Sequence, residues 1–228
     1  MNKRAESQVA AKPTYIFDFD STLVTVESLD ELAAYALKGR PDRLQIIDHI
    51  ERITNLGMSG KIKFDESLRL RLKLFSASRE HVEKVIALLM DNVSPSVWIN
   101  RDWFVNNSDR IYVISGGFKD YILPVAKRLG LKENHVFANK FLYDQSGIII
   151  GYDKANLLCQ PEGKVKQVAK LNLPKPIIVI GDGSTDHEIR KHGQAELFCA
   201  FTETILRPNV VAGADKVFSS FEPQQLVI

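Results

Sequence analysis

The sequence predicts an α/β fold, a doubly wound parallel sheet into which a bundle of helices is inserted. Three apolar runs without polar alternation, at residues 15–17, 110–115 and 177–180, are typical of strands that are covered on both faces. The long segment between the first two runs has helical periodicity and no clear strand. Because strand and helix patterns then alternate toward the end of the chain, we expect a parallel sheet.

The helical insertion, residues 25–92, is predicted to form four amphipathic helices that bury their apolar stripes against one another. Ser28 and Glu31 have the spacing of a capping box, which predicts a helix start at Ser28. Glycine commonly follows the last residue of a helix, so Gly57 is expected to lie just beyond the second one. The predicted helices run from Ser28 to before Gly39, over residues 42–56, after Phe64, and from near Ser78.

The remaining segments complete a Rossmann-like core. Around the strand at 110–115, the pattern predicts further helices and strands, among them a helix before this strand and a hairpin after it. These elements are a helix around residues 97–105, a helix over 121–129, a hairpin of strands 136–143 and 148–152, a helix over 163–171, and edge strands at 197–201 and 216–218. The predicted division is a loose arm (1–12), an α/β core (13–24 and 93–228) and an inserted helical domain (25–92).

Small and acidic residues follow the three buried strands. Asp18 and Asp20 come after the first strand, Ser115 ends the second, and Asp182 follows the third. If these strands lie side by side and parallel, their carboxyl ends converge on one pocket, where open α/β sheets bind ligands. The alternative is structural, because Asp, Ser and Thr also start turns and cap helices.

The composition of this pocket indicates phosphate chemistry with a metal ion. Carboxylates crowded into a dry site need a cation, and Mg²⁺ is usually held by one or two carboxylates together with water and phosphate, a role that fits Asp18 and Asp182. A carboxylate can then attack phosphorus, while Asp20 serves as general acid and base. The hydroxyl of Ser115 and the amides of Gly116 and Gly117 can hold the phosphoryl oxygens, because glycine lets the backbone approach closely.

These residues carry a family resemblance. The segments DFDST at 18–22, SGGF at 115–118 and GDGSTD at 181–186 resemble the motifs of the haloacid dehalogenase superfamily, and within it the phosphoserine phosphatases. The resemblance implies that Asp18 is the nucleophile and Asp20 the general acid and base. It implies Mg²⁺ bound by Asp18, the carbonyl of Asp20, and Asp182, with Asp186 as an outer support.

The same resemblance implies a lysine that pairs with the nucleophile and the phosphate. Lys164 is the position that matches the family motif, and Lys166 is the competing candidate. The structural alternative for either lysine is a solvated position on the helix predicted over residues 163–171.

Arg71 stands out within the helical insertion on geometry alone. At about 100° per residue it falls between two apolar stripes of the third helix, whereas Arg69 and Lys73 lie on the opposite face. A guanidinium between apolar residues needs a hydrogen-bonding partner, and a carboxylate can accept two hydrogen bonds from it at once. That partner is either the carboxylate of a substrate or an acid of the insertion itself.

The resemblance extends to recognition of a phosphorylated amino acid. Residues that match Glu27 and Arg71 hold the substrate amino and carboxylate groups in phosphoserine phosphatases, and those that match Met58 and Phe64 line an apolar wall. From the residues alone, Glu27 is also a favourable charge near a helix start, and Met58 and Phe64 are equally ordinary core. The family carries Asn or Thr at the position of Thr185, which is predicted to contact substrate or phosphate, or to cap the next helix.

Net charge, apolar segments and cysteine pattern limit the kinds of partner and the cellular compartment that the sequence predicts. The net charge of +2 over 228 residues gives no reason to expect nucleic acid, and no segment has the length and apolarity of a membrane span. Residues 1–12 are polar and lack the apolar centre of a secretory signal. Cys159 and Cys199 show no metal spacing, which favours reduced thiols and a cytoplasmic location. We expect a monomer or a homodimer.

The sequence therefore predicts a magnesium-dependent phosphatase that hydrolyses O-phosphoserine through an aspartyl phosphate. Two alternatives of reaction or substrate stay open: transfer of the phosphoryl group to an acceptor such as homoserine, and hydrolysis of another small phosphorylated metabolite. A third hypothesis is a non-catalytic phosphate-binding module. Binding alone does not need Asp20, which argues against that module.

Overall fold

The computed structural model describes residues 12–226, so the predicted arm lies outside the described residues except for Lys12. The strands are β1 (Thr14–Phe17), β2 (Ile111–Phe118), β3 (Val136–Asn139), β4 (Phe141–Tyr143), β5 (Ile149–Tyr152), β6 (Ile177–Gly181), β7 (Leu197–Phe201) and β8 (Lys216–Phe218). The α-helices are α1 (Ser28–Ala36), α2 (Arg43–Met58), α3 (Phe64–Leu72), α4 (Arg79–Asp91), α5 (Pro95–Ile99), α6 (Arg101–Asn106), α7 (Lys119–Arg128), α8 (Gly163–Leu171), α9 (Ser184–Lys191) and α10 (Pro208–Val211). Short 3₁₀ turns lie at Glu133–His135, Leu157–Cys159 and Pro223–Gln225.

Six parallel strands form the main sheet, in the order β3-β2-β1-β6-β7-β8, which confirms the predicted fold class. β1 is central and buried along its whole length. Phe17 at its end is in register with Val113 on one side and with Ile180 on the other. This register brings the residues that follow β1 and β6 next to one another, and both lie beside the Ser-Gly-Gly stretch near the end of β2.

The helical insertion contains the four predicted helices, and its apolar side chains join the same cluster as the sheet. Leu32 of α1 and Val85 of α4 are fully buried in a cluster that also contains Phe17 of β1. A smaller cluster between α1 and α2 includes Leu37 and Ile50. Because the insertion and the core share apolar contacts, the division into two domains remains a prediction.

In the insertion, the predicted start of α1 at Ser28 is confirmed, whereas its predicted capping box and the predicted end of α2 are wrong. The Ser28–Glu31 capping box is not formed, because Ser28 is already the first residue of α1 and its N–H donates to Asp20 Oδ1 at 2.9 Å. Gly57 does not follow α2 but lies within it. A Cβ at Gly57 would lie 2.7 Å from Ser67 Oγ, so this glycine permits close packing of α3 on α2.

The predicted strand at 136–143 is two strands. β3 joins the main sheet, whereas β4 pairs antiparallel with β5 in the predicted hairpin. The rings of Phe118 and Phe141 stack with centroids 3.6 Å apart and hold this hairpin to the end of β2. The helix predicted around 97–105 is likewise divided into α5 and α6 at Asn100, whose amide donates to the carbonyls of Ser96 and Phe221.

Among residues 12–226, no helix has both the length and the apolarity that crossing a membrane requires.

Candidate active site

Three carboxylates meet at the carboxyl ends of β1 and β6. Asp18, Asp182 and Asp186 are buried, and each offers one oxygen such that these oxygens all lie within 4.8 Å of one another. Such an all-oxygen set suits a hard cation such as Mg²⁺. Burial, followed by the nearby charge of Asp18, raises the pKa of Asp182 to about 6 and raises that of Asp186 well above its ordinary value. The donor set therefore fits the metal that the sequence predicts.

Asp186 lies closer to the centre than the sequence predicts. Its Oδ2 accepts the N–H of Gly183 at 3.1 Å, and its Oδ1 accepts from Lys164 Nζ at 2.8 Å. A Cβ at Gly181 would lie 2.3 Å from Asp186 Cγ, so the glycine that ends β6 makes room for this carboxylate. Asp186 thus stabilises the backbone at Gly183, pairs with Lys164 and contributes an oxygen to the carboxylate cluster.

Lys164 is buried at 6% exposure and pairs with two of the carboxylates. Its Nζ lies 2.8 Å from Asp18 Oδ2 and 2.8 Å from Asp186 Oδ1. Burial lowers the pKa of this amine, but the charges of Asp18 and Asp186 and their hydrogen bonds outweigh it and raise the pKa above its usual range. Lys166, the competing candidate, is exposed and donates to the carbonyl of Pro161 at 2.7 Å. The geometry therefore favours Lys164.

Asp20 lies apart from the carboxylate cluster. Its Oδ1 accepts the N–H of Ser28 at 2.9 Å, and its Oδ2 would lie 3.1 Å from a Cβ at Gly117. Burial raises the pKa of Asp20 to about 7, with Ser28 hydrogen bonds opposing the rise and Asp18 adding to it. A carboxyl group with such a pKa can hold a proton near neutral pH and release it again.

The predicted phosphate-binding residues form a tight cradle. Gly117 N donates to Ser115 Oγ at 2.9 Å, which fixes the hydroxyl near the backbone amides. A Cβ at Gly116 would lie 2.2 Å from Phe64 Cζ, so only glycine fits beneath this ring. The fully buried Asn139 holds the Gly116 carbonyl through its Nδ2 at 2.8 Å.

The predicted catalytic and substrate-binding residues line one small cavity of about 20 Å³, which has room for roughly one water molecule. A cleft of about 280 Å³ adjoins it and shares Phe64, Gly116, Lys164 and Thr185 with it. A phosphorylated amino acid is much larger than the inner cavity alone. The cavity is lined by Asp18, Asp20, Glu27, Met58, Phe64, Arg71, Ser115, Gly116, Gly117, Lys164 and Thr185.

Arg71 makes the internal ion pair that the sequence left as an alternative, and it also lines the cavity. Its Nη1 lies 3.2 Å from Asp30 Oδ1 and 3.1 Å from Thr54 Oγ1. The side chain is 4% exposed, and its buried Nε has no hydrogen-bond partner among the described residues. A buried donor without a partner is costly, so a ligand that accepts from Nε would be stabilised.

Glu27 lies near other acids and also near Arg71 and Arg207, whose Nη2 is 3.5 Å from its Oε1. Its Oε1 accepts from Ser21 Oγ at 2.8 Å, and burial together with the charges of Asp20, Asp182 and Asp30 raises its pKa well above the ordinary value. Such a position favours the approach of a cation.

Thr185 and Met58 both line the cavity, and both lie close to Gly183. Thr185 lies inside α9, which begins at Ser184, so the capping alternative for Thr185 is wrong. Met58 ends α2, and its Cε would lie 3.1 Å from a Cβ at Gly183.

Three residues that support the site were not predicted from the sequence as site residues. Asn139 and Ser28 orient Gly116 and Asp20 through single hydrogen bonds. Arg207, which directly precedes Pro208 in the loop after β7, donates from Nε to Asp182 Oδ2 at 2.9 Å. An arginine in a loop is usually solvated, so nothing in the sequence indicates that Arg207 is only 8% exposed.

The raised carboxyl pKa values predict how the stability of the metal-free protein depends on pH. A carboxyl whose pKa rises on folding binds more protons in the folded state, so stability falls as pH rises from about 4 to about 7 for Asp20. In EDTA, we expect the melting temperature to fall by roughly 5 °C between pH 5 and pH 8. Asp20→Asn should reduce this slope, and Mg²⁺ should raise the melting temperature most at pH 8. A metal-free melting temperature that rises across this window would contradict the assignment.

Comparisons with known proteins agree with this geometry. A family model described as haloacid dehalogenase-like hydrolase matches residues 15–189. The phosphoserine phosphatase of Arabidopsis thaliana, described as chloroplastic, is 37% identical over 90% of this chain and 68% of its own length. A solved phosphoserine phosphohydrolase-like protein from Francisella tularensis superposes with a TM-score of 0.83 at 29% identity and covers 92% and 96% of the two chains. A solved phospho-aspartyl intermediate analogue of phosphoserine phosphatase superposes with a TM-score of 0.72 at 27% identity and covers 95% of this chain and 98% of its own.

The fold, the carboxylate site and these relatives define a phosphoric monoester hydrolase on a Rossmann-like sheet, which confirms the predicted enzyme class. The non-catalytic alternative is therefore set aside. The chain belongs to the haloacid dehalogenase-like hydrolase family.

Proposed function

We propose that the protein hydrolyses O-phosphoserine to serine and phosphate through an aspartyl phosphate on Asp18, with Mg²⁺ as cofactor. One observation carries the proposal: Lys164 is held between Asp18 and Asp186 at the strand tips, beside Asp182 and the Ser115–Gly117 cradle. Further support comes from the relatives, which are phosphoserine phosphatases and include the phospho-aspartyl intermediate analogue.

The residues that would hold the metal are Asp18, Asp182 and the carbonyl of Asp20. When bound, Mg²⁺ neutralises part of the charge on the carboxylates and phosphate, which lets an anionic nucleophile approach an anionic substrate. Lys164 adds a second positive charge beside Asp18.

The reaction then follows from the positions of the two aspartates. An Asp18 oxygen forms a bond to phosphorus as the bond to the serine oxygen breaks, and Asp20 gives its proton to that oxygen. In the second step Asp20 takes a proton from water, whose oxygen attacks phosphorus and releases Asp18. The hydroxyl of Ser115 and the amides of Gly116 and Gly117 hold the phosphoryl oxygens through both steps.

Recognition of the amino acid is proposed to come from the helical insertion. Glu27, with its acidic surroundings, attracts the substrate ammonium group. Arg71 donates to the substrate carboxylate, for which its Nε has the free donor. Met58 and Phe64 shield these groups from water, and Thr185 lies at the phosphate side of the same cavity.

The proposal is tested by phosphate release from a panel of phosphorylated metabolites with Mg²⁺, with and without homoserine. We expect the highest kcat/KM for phosphoserine, release of free phosphate, and no formation of phosphohomoserine. A higher kcat/KM for a phosphorylated sugar, or transfer to homoserine, would contradict the substrate or the reaction respectively.

Arg71→Ala tests whether Arg71 recognises the substrate carboxylate. Loss of a charge-assisted carboxylate contact should lower kcat/KM for phosphoserine by about 10²-fold, and that for an aryl phosphate by far less. Arg69→Ala, on the outer face of α3, is the matched control and should change neither value. Equal losses on both substrates would count against carboxylate recognition by Arg71.

The proposed partner is this small phosphorylated amino acid, and the proposed compartment is the cytoplasm. The two cysteines, Cys159 and Cys199, are buried free thiols, in keeping with a reducing compartment. A monomer or homodimer remains the prediction for the oligomeric state.

A further inference from the structure

One guanidinium joins the carboxylate cluster to the helical insertion. Arg207 Nε donates to Asp182 Oδ2 at 2.9 Å, and Nη1 donates to Asn55 Oδ1 of α2 at 3.1 Å. Its Nη2 lies 3.5 Å from Glu27 Oε1, just before α1. Because the guanidinium is planar and its donors point in fixed directions, a shift of one partner changes the geometry available to the others.

The backbone of Arg207 is held firmly. The residue precedes Pro208, the first residue of α10, and has an extended conformation with φ −108° and ψ 104°. A residue before proline is largely confined to that region. The reach of the side chain from a fixed backbone therefore depends on what holds its far end, which is Asn55 on α2 at 3.1 Å and, more distantly, Glu27 at 3.5 Å.

Arg207 also controls one of the two oxygens of Asp182. The guanidinium binds Oδ2, whereas Oδ1 lies 3.4 Å from Thr22 Oγ1. A carboxylate that offers one oxygen to a metal is oriented by the donor on the other oxygen, and such supporting contacts strongly affect metal affinity.

We propose that Arg207 is a positioning residue that couples docking of the helical insertion to the Mg²⁺ affinity of the carboxylate cluster. The inference rests on the proposed function, since it assumes Asp182 to be a ligand of Mg²⁺. While Asn55 holds the guanidinium, Asp182 keeps the orientation that the ion requires. By reciprocity, bound Mg²⁺ strengthens the docking of α2.

Asn55→Ala is the decisive variant, because Asn55 is exposed on the surface of α2 and its loss should not impair folding. Within residues 12–226, Asn55 donates no hydrogen bond to the three carboxylates, so an effect on the metal must pass through Arg207. We expect calorimetric titration to show Mg²⁺ affinity weakened about fivefold in Asn55→Ala. Arg207→Gln should weaken it at least as much, and adding Asn55→Ala to Arg207→Gln should have no further effect.

Gln45→Ala, an exposed amide on the same helix, is the matched control and should bind Mg²⁺ as the unaltered protein does. Hydrogen exchange supplies a second measurement: Mg²⁺ should slow exchange of the α2 amides in Gln45→Ala and not in Asn55→Ala. If Asn55→Ala binds Mg²⁺ as tightly as Gln45→Ala while phosphoserine hydrolysis needs Mg²⁺, the coupling is overturned and the proposed function stands. If the unaltered protein binds no Mg²⁺, both are overturned.

Discussion

Asp18→Asn is expected to lower phosphoserine hydrolysis by at least about 10⁴-fold, because an amide oxygen is a far weaker nucleophile than a carboxylate. The substitution should leave the fold intact, since Lys164 keeps its second partner, Asp186, at 2.8 Å. Steady-state kinetics measures the loss, and the melting temperature checks the fold. Asp48→Asn, the same change at an exposed carboxylate on α2, is the control and should retain full activity.

Trapping gives the complementary result for the same variant. Beryllium trifluoride, a mimic of the phosphoryl group on a carboxylate, should be found on Asp18 in the unaltered protein and should not bind to Asp18→Asn. Attachment at another residue, or turnover within tenfold of normal in Asp18→Asn, would remove the proposed nucleophile.

Asp20→Asn is expected to lower turnover of phosphoserine by roughly 10²- to 10⁴-fold, the usual contribution of a general acid and base. Mg²⁺ affinity should change little, since the Asp20 carboxylate is bound to Ser28 N and is not one of the three clustered carboxylates. Calorimetric titration of Mg²⁺ distinguishes this variant from Asp18→Asn, which lacks a proposed metal ligand.

A substrate with a good leaving group separates the two roles of Asp20. An aryl phosphate needs no proton on its leaving oxygen, so Asp20→Asn should form the aspartyl phosphate quickly and hydrolyse it slowly. Rapid mixing should therefore show a burst of phenolate followed by slow turnover. Asp91→Asn, on the outside of α4, is the control and should show normal turnover. Absence of a burst together with normal turnover in Asp20→Asn would contradict the acid and base role.

Side chains that follow buried strands were predictable because their placement depends on local pattern. An unbroken apolar run such as Tyr15–Phe17 must be covered on both faces, and parallel strands bring their carboxyl ends to one edge. Asp18 and Asp182 therefore meet wherever β1 and β6 pair, and the structure shows that pairing. The start of α8 at Gly163, which buries Lys164, likewise follows from the periodicity of that segment.

Other features depended on how the elements pack. Glycine is a residue type that often ends a helix, yet Gly57 lies inside α2, where Ser67 of α3 leaves no room for a Cβ. The strand pattern at 136–143 did not show that β3 and β4 separate at Lys140, since both halves are mostly apolar. Ring stacking of Phe141 on Phe118 decides that separation.

The sequence by itself determined the order of strands and helices along the chain, the acidic tips of β1 and β6, and the glycine cradle near the end of β2. These depend on residue type and spacing over a few positions, which the chain carries locally. The tertiary structure alone decided that Asp186 joins the carboxylate cluster, that Arg71 pairs with Asp30, and that Arg207 spans from Asp182 to Asn55. Asn55 and Arg207 are 152 positions apart in the chain, and only the docking of the helical insertion on the sheet brings them together.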